Sequence, residues 1–210
     1  MTELELNRRF VDEQALETPE QQIARRYALE AGLREISPAL GAHLAFVAAA
    51  INAQQIIEIG SSGGVSSAWL HRGVPTATIT CLDAESEFLA DARQALVGAG
   101  HAPARIRCIG GDPLMLLPRM SDASYDLVLI QDDLSLVAAH LRHALRIVRS
   151  GGTILVLHAL NGGRVADPAR RDPVTNSLRA IIREFQRQPD VASAVLPLGS
   201  GLLQLTTRAG

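Results

Sequence analysis

The residues best suited to chemistry lie in a glycine-rich segment that directly follows an apolar run. The run Ile56-Ile57-Glu58-Ile59 is typical of a buried parallel strand, and it ends in Gly60-Ser61-Ser62-Gly63-Gly64-Val65-Ser66, where a helical pattern begins. Glycine has no Cβ and tolerates positive φ, so such a loop lets a ligand approach the backbone, and the following helix aims free N–H groups at it. The segment predicts a nucleotide or nucleoside site; a tight turn that binds nothing is the alternative.

The spacing of these glycines decides which nucleotide fits. Gly60, Gly63 and Gly64 do not form the G-x-G-x-x-G fingerprint of dinucleotide sites, which argues against a nicotinamide-binding protein. A phosphate-loop ATPase is excluded because no lysine follows the glycines, and the chain contains none. The pattern acidic-x-Gly-x-x-Gly, formed here by Glu58, Gly60 and Gly63, is instead typical of proteins that bind the amino-acid end of S-adenosylmethionine over this loop.

Further polar residues follow two other predicted strands, at the edge where open α/β sheets bind their ligands. Asp83 follows the second strand, where a carboxylate can accept hydrogen bonds from both hydroxyls of a ribose; capping the next helix is the alternative. Gly111-Asp112-Pro113 follows the third strand, where an adenine would lie, and Asp112 could accept from its amine. An ordinary turn is the alternative there.

Candidate proton acceptors follow the fourth and fifth strands. Two adjacent carboxylates, as in Gln131-Asp132-Asp133, are unfavourable unless paired, so they could hold a metal, position a substrate or act as a base. Asp133 could instead cap the following helix. His158 ends the fifth strand, where a neutral imidazole can accept a proton near pH 7, although a lone histidine at a strand end is often structural.

These residues depend on alternating strands and helices to bring them together. After the loop, the pattern predicts strands over 78–82, 105–109, 127–130 and 153–157, helices over 65–71, 86–97, near 114, 136–148 and 174–187, a loop over 161–173, and a hairpin of 192–197 and 202–207. Before it, Thr18-Pro19 and Ser37-Pro38 begin helices. We expect five parallel strands with helices on both faces of the sheet.

Composition limits the remaining possibilities. A chain of 210 residues that is 47% hydrophobic suits one large domain, or a domain with a short arm. A net charge of −2 and 3% aromatic residues argue against nucleic acid and acidic membranes as partners. The acidic N-terminus and the lack of a spanning apolar run favour a cytoplasmic protein. We expect Cys81 and Cys108 to lie in buried strands as small apolar residues.

Several segments match one known family when they are taken with the glycine loop. They are Asp83, Gly111 to Met120, Ser124-Tyr125-Asp126-Leu127-Val128, Arg146-Ile147-Val148-Arg149-Ser150-Gly151-Gly152, Gly162 to Pro168, and Leu196 to Leu203. From about Ser37 to Arg208 the chain resembles the cation-dependent small-molecule O-methyltransferases related to catechol and caffeoyl-CoA O-methyltransferases, and especially their actinobacterial members. The resemblance implies a doubly wound, mostly parallel seven-stranded sheet with an antiparallel C-terminal strand and extra N-terminal helices. We expect an N-terminal helical arm over 1–36 and a methyltransferase domain over 37–210.

The resemblance also implies S-adenosylmethionine as methyl donor, S-adenosylhomocysteine as product, a small-molecule acceptor and a homodimer to which the N-terminal helices contribute. It places the loop at the methionine end, Asp83 on the ribose, and Asp112 with Pro113 around the adenine. The residues that we assign to the cofactor are Glu58, Gly60, Ser61, Ser62, Gly64, Ser66, Asp83, Ala84, Gly111, Asp112, Pro113, Gln131 and Asp132.

The chain departs from this family at the metal site. Where the family has Ile-Asp-Ala-Asp-Lys, with a metal-binding Asp and a catalytic Lys, this chain has Ile130-Gln131-Asp132-Asp133-Leu134. Where the family has a metal-binding Asp-Asn, it has Leu157-His158. Glutamine is a weaker oxygen donor, leucine donates nothing, and imidazole suits Mg²⁺ poorly. We therefore expect no divalent metal.

Two functional hypotheses follow from that departure. In the first, the chain methylates an oxygen of a small molecule through proximity and orientation alone, with His158 or Asp133 as the catalytic residue that takes the acceptor's proton. In the second, it binds the cofactor without catalysis and acts as an interaction or regulatory subunit.

Overall fold

The computed structural model describes residues 1–34 and 36–208. Two parts of the predicted domains lie outside these described residues. They are Glu35, close to the predicted end of the N-terminal helical arm, and residues 209–210 of the predicted methyltransferase domain. The helices are α1 Glu3–Gln14, α2 Pro19–Glu30, α3 Pro38–Ala50, α4 Val65–Gly73, α5 Ser86–Gly98, α6 Pro113–Leu116, α7 Val137–Ile147 and α8 Pro173–Phe185. The strands are β1 Gln55–Ile59, β2 Thr78–Asp83, β3 Ile106–Gly110, β4 Tyr125–Ile130, β5 Val148–Leu157, β6 Val191–Leu196 and β7 Leu202–Thr207.

The strands form one seven-stranded sheet in the order β3-β2-β1-β4-β5-β7-β6. The first five strands of the chain are parallel, whereas β7 is antiparallel to both β5 and β6. Ile59, at the end of β1, lies opposite Leu82 on one side and Ile130 on the other. The loops after these strands therefore meet at one edge, where the strand order reverses and such sheets bind ligands. The predicted doubly wound sheet is confirmed.

The sheet is buried on both faces because its central strands are apolar at almost every position. Ile56 packs in the cluster that joins the sheet to α3, α4 and α5, whereas Ile57 packs in the cluster formed with α7 and α8. Glu58 breaks this apolar run from within β1 and is fully buried. Its burial requires partners, which α4, β2 and the segment after β4 supply.

The predicted starts of α2 and α3 are confirmed. Thr18 Oγ1 accepts from the backbone N of Gln21, whose side chain accepts from the Thr18 backbone N–H, and Ser37 Oγ accepts from the backbone N of Leu40. These side chains satisfy N–H groups that a helix leaves free at its first turn. They fix where α2 and α3 begin.

Helix α2 packs on the glycine loop and on α4 and α5, and it buries Ala24 and Ala28 in the same core as the sheet. It thus brings the segment that follows it to the edge of the sheet where the loops meet. The boundary at residue 36 between an arm and a domain stays a prediction.

The expectation for the second cysteine was wrong. Cys81 is buried in β2, but β3 is the edge strand of the sheet, so Cys108 is only partly buried. An edge strand lacks a neighbour on one side, which the sequence pattern of a single strand does not reveal. Within the described residues, no helix has the length and apolar character needed to cross a membrane.

Candidate functional site

The glycine loop is held in place by close contacts on two sides. Gly60 and Gly64 both have φ of 83°, a left-handed conformation that residues with a side chain rarely adopt. A Cβ at Gly60 would lie 3.0 Å from the backbone N of Asp132, and one at Gly64 would lie 2.7 Å from Ala92 Cα. Glycine is therefore needed at both positions, and the loop fits between α5 and the segment after β4.

A cavity of about 410 Å³ opens beside this loop, at the carboxyl ends of β1, β2 and β4, within the size range of cofactor sites. It is lined by Gly32, Leu33, Arg34, Gly60, Asp83, Ala84, Glu85, Phe88, Pro113, Gln131, Asp132 and Asp133. Of the described residues that we assigned to the cofactor, those outside this lining are Glu58, Ser61, Gly64, Ser66, Gly111 and Asp112. The side chain of Ser62 is outside the described part of the chain.

Asp83 joins the glycine loop to β2. Its Oδ2 accepts from the backbone N and from Oγ of Ser61, at 2.8 and 2.9 Å, and its Oδ1 accepts from the backbone N of Glu85 at 3.0 Å. Helix α5 has Glu85 rather than Asp83 at its N-cap, so the alternative role as helix cap does not describe this carboxylate. A carboxylate has about four acceptor positions, and the one that remains on Oδ1 is available to a ligand in the cavity.

The Glu58 carboxylate lies beneath the loop and is held by hydroxyl and thiol groups. It accepts a hydrogen bond from Ser67 Oγ and another from Cys81 Sγ at 3.5 Å. Burial raises the pKa of Glu58, and hydrogen bonds from Ser66, Ser67 and Cys81 act in the opposite direction. Glu58 therefore supports the loop from behind, and does not line the described cavity wall.

The side chain of Gln131 extends the same hydrogen-bond network to the cavity. Its Nε2 donates to Ser66 Oγ at 2.7 Å and to Glu58 Oε1 at 3.4 Å. Its Oε1 is buried and has no hydrogen-bond partner among the described residues. A buried carbonyl oxygen without a donor is unfavourable. The lining therefore contains an acceptor that the N–H of a ligand can satisfy.

A buried histidine that the sequence reasoning missed lies beside Asp132. His140 Nε2 is 3.6 Å from Asp132 Oδ2, and neither ring nitrogen has a hydrogen-bond partner in the described part of the chain. Burial lowers the pKa of His140, although Asp132 and Asp112 oppose this. Asp112 itself caps α6 by accepting from the backbone N of Leu114 at 2.8 Å. The only indication of a buried histidine in the sequence is its position among the apolar residues of α7.

The two candidate proton acceptors differ in exposure and basicity. Asp133 is exposed and lines the cavity, and its Oδ1 accepts from the backbone N of Ser135 at 2.8 Å, which keeps its pKa low. His158 is 3% exposed, and burial lowers its pKa to about 4. Its φ is 58°, and its Nδ1 has no hydrogen-bond partner among the described residues. At neutral pH the imidazole is therefore neutral and the carboxylate is ionised.

The segment after α2 also contributes to the cavity, and no pattern in the sequence indicates this. Gly32, Leu33 and Arg34 line the cavity opposite the strand ends. The positive charge of the Arg34 guanidinium lowers the pKa of both Asp133 and His158, the two candidate proton acceptors. Arg34 itself makes no hydrogen bond or ion pair within the described residues.

The positions where the resembling family holds its cation carry a donor set that does not fit Mg²⁺. The Gln131 amide nitrogen is engaged with Ser66, and its oxygen is a single neutral donor. Leu157 is fully buried and lies opposite Leu202 of β7. His158 offers nitrogen, whereas Mg²⁺ requires several oxygen ligands in near-octahedral geometry.

Comparisons with known proteins agree on one family. The family model described as O-methyltransferase matches residues 12–208. A Mycobacterium tuberculosis protein named "Probable O-methyltransferase" is 38% identical over 181 residues, which cover 86% of this chain and 81% of that protein. A crystal structure of a Corynebacterium glutamicum protein covers 100% of this chain and 99% of that one, at 28% identity and a TM-score of 0.91. The O-methyltransferase from Bacillus cereus in complex with SAH has a TM-score of 0.80 at 24% identity, over 92% of each chain.

Proposed function

Because the chain belongs to the O-methyltransferase family, we propose that it binds S-adenosylmethionine in the cavity and methylates an oxygen of a small molecule without a divalent cation. The observation that carries this proposal is the position of the cavity. It lies where the strand order reverses between β1 and β4, and it is bounded by Gly60, Asp83 and Gln131. Ligands of open α/β sheets bind at this point.

The polar groups of the lining fit this cofactor. The free acceptor position of Asp83 Oδ1 suits a ribose hydroxyl, and the unpartnered Gln131 Oε1 suits an ammonium N–H. The relative from Bacillus cereus was crystallised with SAH, which supports the same class of ligand here. When it is bound, the cofactor supplies an electrophilic methyl group on a positively charged sulfur.

The absence of a cation from the reaction is part of the proposal. It rests on the donor chemistry of Gln131, Leu157 and His158, which offers Mg²⁺ neither the carboxylates nor the number of oxygen ligands it requires. The protein's own contribution is then to position the acceptor oxygen and to exclude water. Orientation of this kind can supply several kcal/mol of a barrier.

The proton of the acceptor limits what the site can methylate. We propose His158 and Asp133 as the two groups that can take this proton. With a His158 pKa of about 4, moving a proton to it from a hydroxyl of pKa ~10 is uphill by about 8 kcal/mol. Asp133 is also a weak base, because hydrogen bonds from Ser135 and the charge of Arg34 lower its pKa. Such a site suits acceptors that are acidic or already ionised.

The surface of α1 supports the proposed homodimer. None of the residues of this helix, all of which are described, is buried. Leu4 is 73% exposed, Phe10 is 61% exposed, and Phe46 on α3 is 69% exposed. Exposed apolar residues at this density are typical of a surface that contacts another protein. A second copy of the chain is the partner that the family resemblance implies.

The alternative of a cofactor-binding subunit without catalysis is not favoured, because the family and the curated relatives are named for methyl transfer. The proposal is tested by calorimetry of the purified protein with S-adenosylmethionine and S-adenosylhomocysteine, each with and without Mg²⁺. We expect micromolar binding of both that Mg²⁺ leaves unchanged. If the protein binds neither compound, the proposed function is wrong.

A further inference from the structure

Arg34 is the one positively charged residue in the described lining of the cavity, and it forms no hydrogen bond or ion pair with another described residue. The other charged residues of the lining are the carboxylates Asp83, Glu85, Asp132 and Asp133. Asp133 is within the electrostatic reach of Arg34, yet its carboxylate is already bonded to Ser135, and the two side chains form no ion pair. The guanidinium thus faces the cavity with its five N–H donors unengaged by described groups.

The segment that carries Arg34 is fixed on both sides. Before it, Leu33 packs on the glycine loop, since a Cβ at Gly63 would lie 3.6 Å from Leu33 Cδ1. After it, Arg25 Nη1 donates to the carbonyl oxygen of Ile36 at 2.5 Å, and Arg25 also pairs with Glu17 at 2.5 Å. Arg34 is therefore held between the loop and the start of α3, and ordering it on a ligand costs little backbone entropy.

The position of Arg34 also relates it to the reacting end of the cavity. Arg34 lines the cavity together with Gln131, Asp132 and Asp133, which follow β4. Its charge also lowers the pKa of His158, which follows β5 and does not itself line the described cavity. Asp83, the proposed ribose ligand, is instead the last residue of β2, on the other side of β1. A cation near β4 and β5 is placed to meet an anion that lies beyond the ribose, and a guanidinium matches a carboxylate through two parallel hydrogen bonds.

We propose that Arg34 is a carboxylate-binding residue of this cavity. Two carboxylates can reach such a site: that of the cofactor's methionine moiety and that of an acidic acceptor. The inference rests on the proposed function, because it takes the cavity to be the cofactor site. It adds a binding residue from the N-terminal segment. Where the bound carboxylate belongs to an acidic acceptor, that acceptor is already ionised and does not need a strong base at His158 or Asp133.

The first part of the test compares two cofactor analogues by calorimetry. S-Adenosylhomocysteine carries the methionine carboxylate, whereas 5′-methylthioadenosine lacks the amino-acid moiety. Each is titrated into the wild-type protein, into Arg34→Gln and Arg34→Lys, and into the control Arg26→Gln. Arg26 lies on α2 over the ring of Tyr27 and does not line the described cavity, so this control makes the same charge change outside the site.

The second part asks about the acceptor. The proteins saturated with S-adenosylhomocysteine are titrated with benzoate and with benzamide, its neutral isostere, and binding is followed by NMR. If the cofactor supplies the carboxylate, Arg34→Gln weakens the binding of S-adenosylhomocysteine by about tenfold or more. The same variant changes the affinity for 5′-methylthioadenosine by less than about twofold. If the acceptor supplies it, Arg34→Gln abolishes a preference for benzoate over benzamide. In either case Arg34→Lys keeps only part of the wild-type affinity or preference, because lysine keeps the positive charge but lacks the planar guanidinium group.

The proposal is overturned if Arg34→Gln leaves the affinity for S-adenosylhomocysteine unchanged and the wild-type complex shows no Arg34-dependent preference for benzoate. An equal loss in Arg26→Gln would also overturn it, because the effect would then follow net charge alone. Failure of the proposed function gives a different result, since the wild-type protein would then bind neither cofactor analogue.

Discussion

Replacement of Asp83 is the most direct test of the proposal that the cavity binds the cofactor. The carboxylate accepts three hydrogen bonds from the protein, two from Ser61 and one from the Glu85 backbone. Asp83→Ala removes these acceptors and also the free position that we assign to the ribose. The Ser61 N–H is buried whereas Glu85 is exposed, so water can replace the bond at Glu85 but not the one at Ser61.

The magnitudes follow from these contacts. One buried backbone N–H left without an acceptor lowers the free energy of unfolding by about 1–3 kcal/mol. Loss of a hydrogen bond to a charged group weakens ligand binding by roughly 1.5–3 kcal/mol, which corresponds to about tenfold or more in Kd. Asp83→Asn is not neutral either. Its single carbonyl oxygen can face Ser61 or Glu85 but not both, and its NH₂ then opposes the other N–H.

The assay is calorimetry of S-adenosylhomocysteine binding, with urea unfolding of each variant as a check on folding. Ser61→Ala is the matched control, because it removes one donor to Asp83 and leaves the charge in place. We expect it to lower stability by about 0.5–1.5 kcal/mol and to change Kd less than about threefold. An unchanged Kd in both Asp83 variants would refute the ribose assignment, even if their stability falls as expected.

Three further results are expected. EDTA leaves product formation unchanged and Mg²⁺ does not raise it; an activity that EDTA abolishes and Mg²⁺ restores would contradict our interpretation of Gln131 and Leu157. His158 has a folded pKa of about 4, below the unfolded value of ~6.5, so the unfolded state binds its proton first and this histidine alone lowers stability by about 2 kcal/mol between pH 7.5 and pH 5. Urea unfolding at the two pH values should show a smaller decrease in His158→Gln. Phe10→Asp places a charge on the exposed apolar face of α1, and we expect light scattering to find the wild-type protein dimeric and this variant monomeric.

The fold could be predicted because each local signal agrees with the global arrangement. The apolar runs have the length of strands, and the glycine loop marks the first strand-to-helix turn, where Gly60 and Gly64 adopt the left-handed conformation that the spacing suggests. The hairpin of β6 and β7 follows from Gly199-Ser200-Gly201 between two strand-like runs. Because ligands bind beyond the carboxyl ends of parallel strands, knowing the strands also located Asp83, Gln131 and Asp132.

What could not be predicted depends on contacts between distant parts of the chain. The edge position of β3, and with it the exposure of Cys108, is decided by strand order. The burial of His140 depends on the packing of α7 on the sheet. Arg34 lies between two helices, where no periodicity points to a ligand, and only the packing of α2 on the loop brings it to the cavity.

The buried network beneath the loop explains how a glutamine fits at position 131, where the resembling family has a metal-binding carboxylate. A carboxylate at position 131 would face the buried Glu58, and two buried carboxylates without a cation between them repel each other. The amide of Gln131 instead donates to Ser66 Oγ and to Glu58, so it satisfies the network that a cation would otherwise have to balance. Restoring the acid with Gln131→Asp should therefore destabilise the protein in EDTA, and not simply recreate a metal site. A Gln131→Asp variant as stable as the wild-type protein in EDTA would contradict this coupling between Gln131 and Glu58.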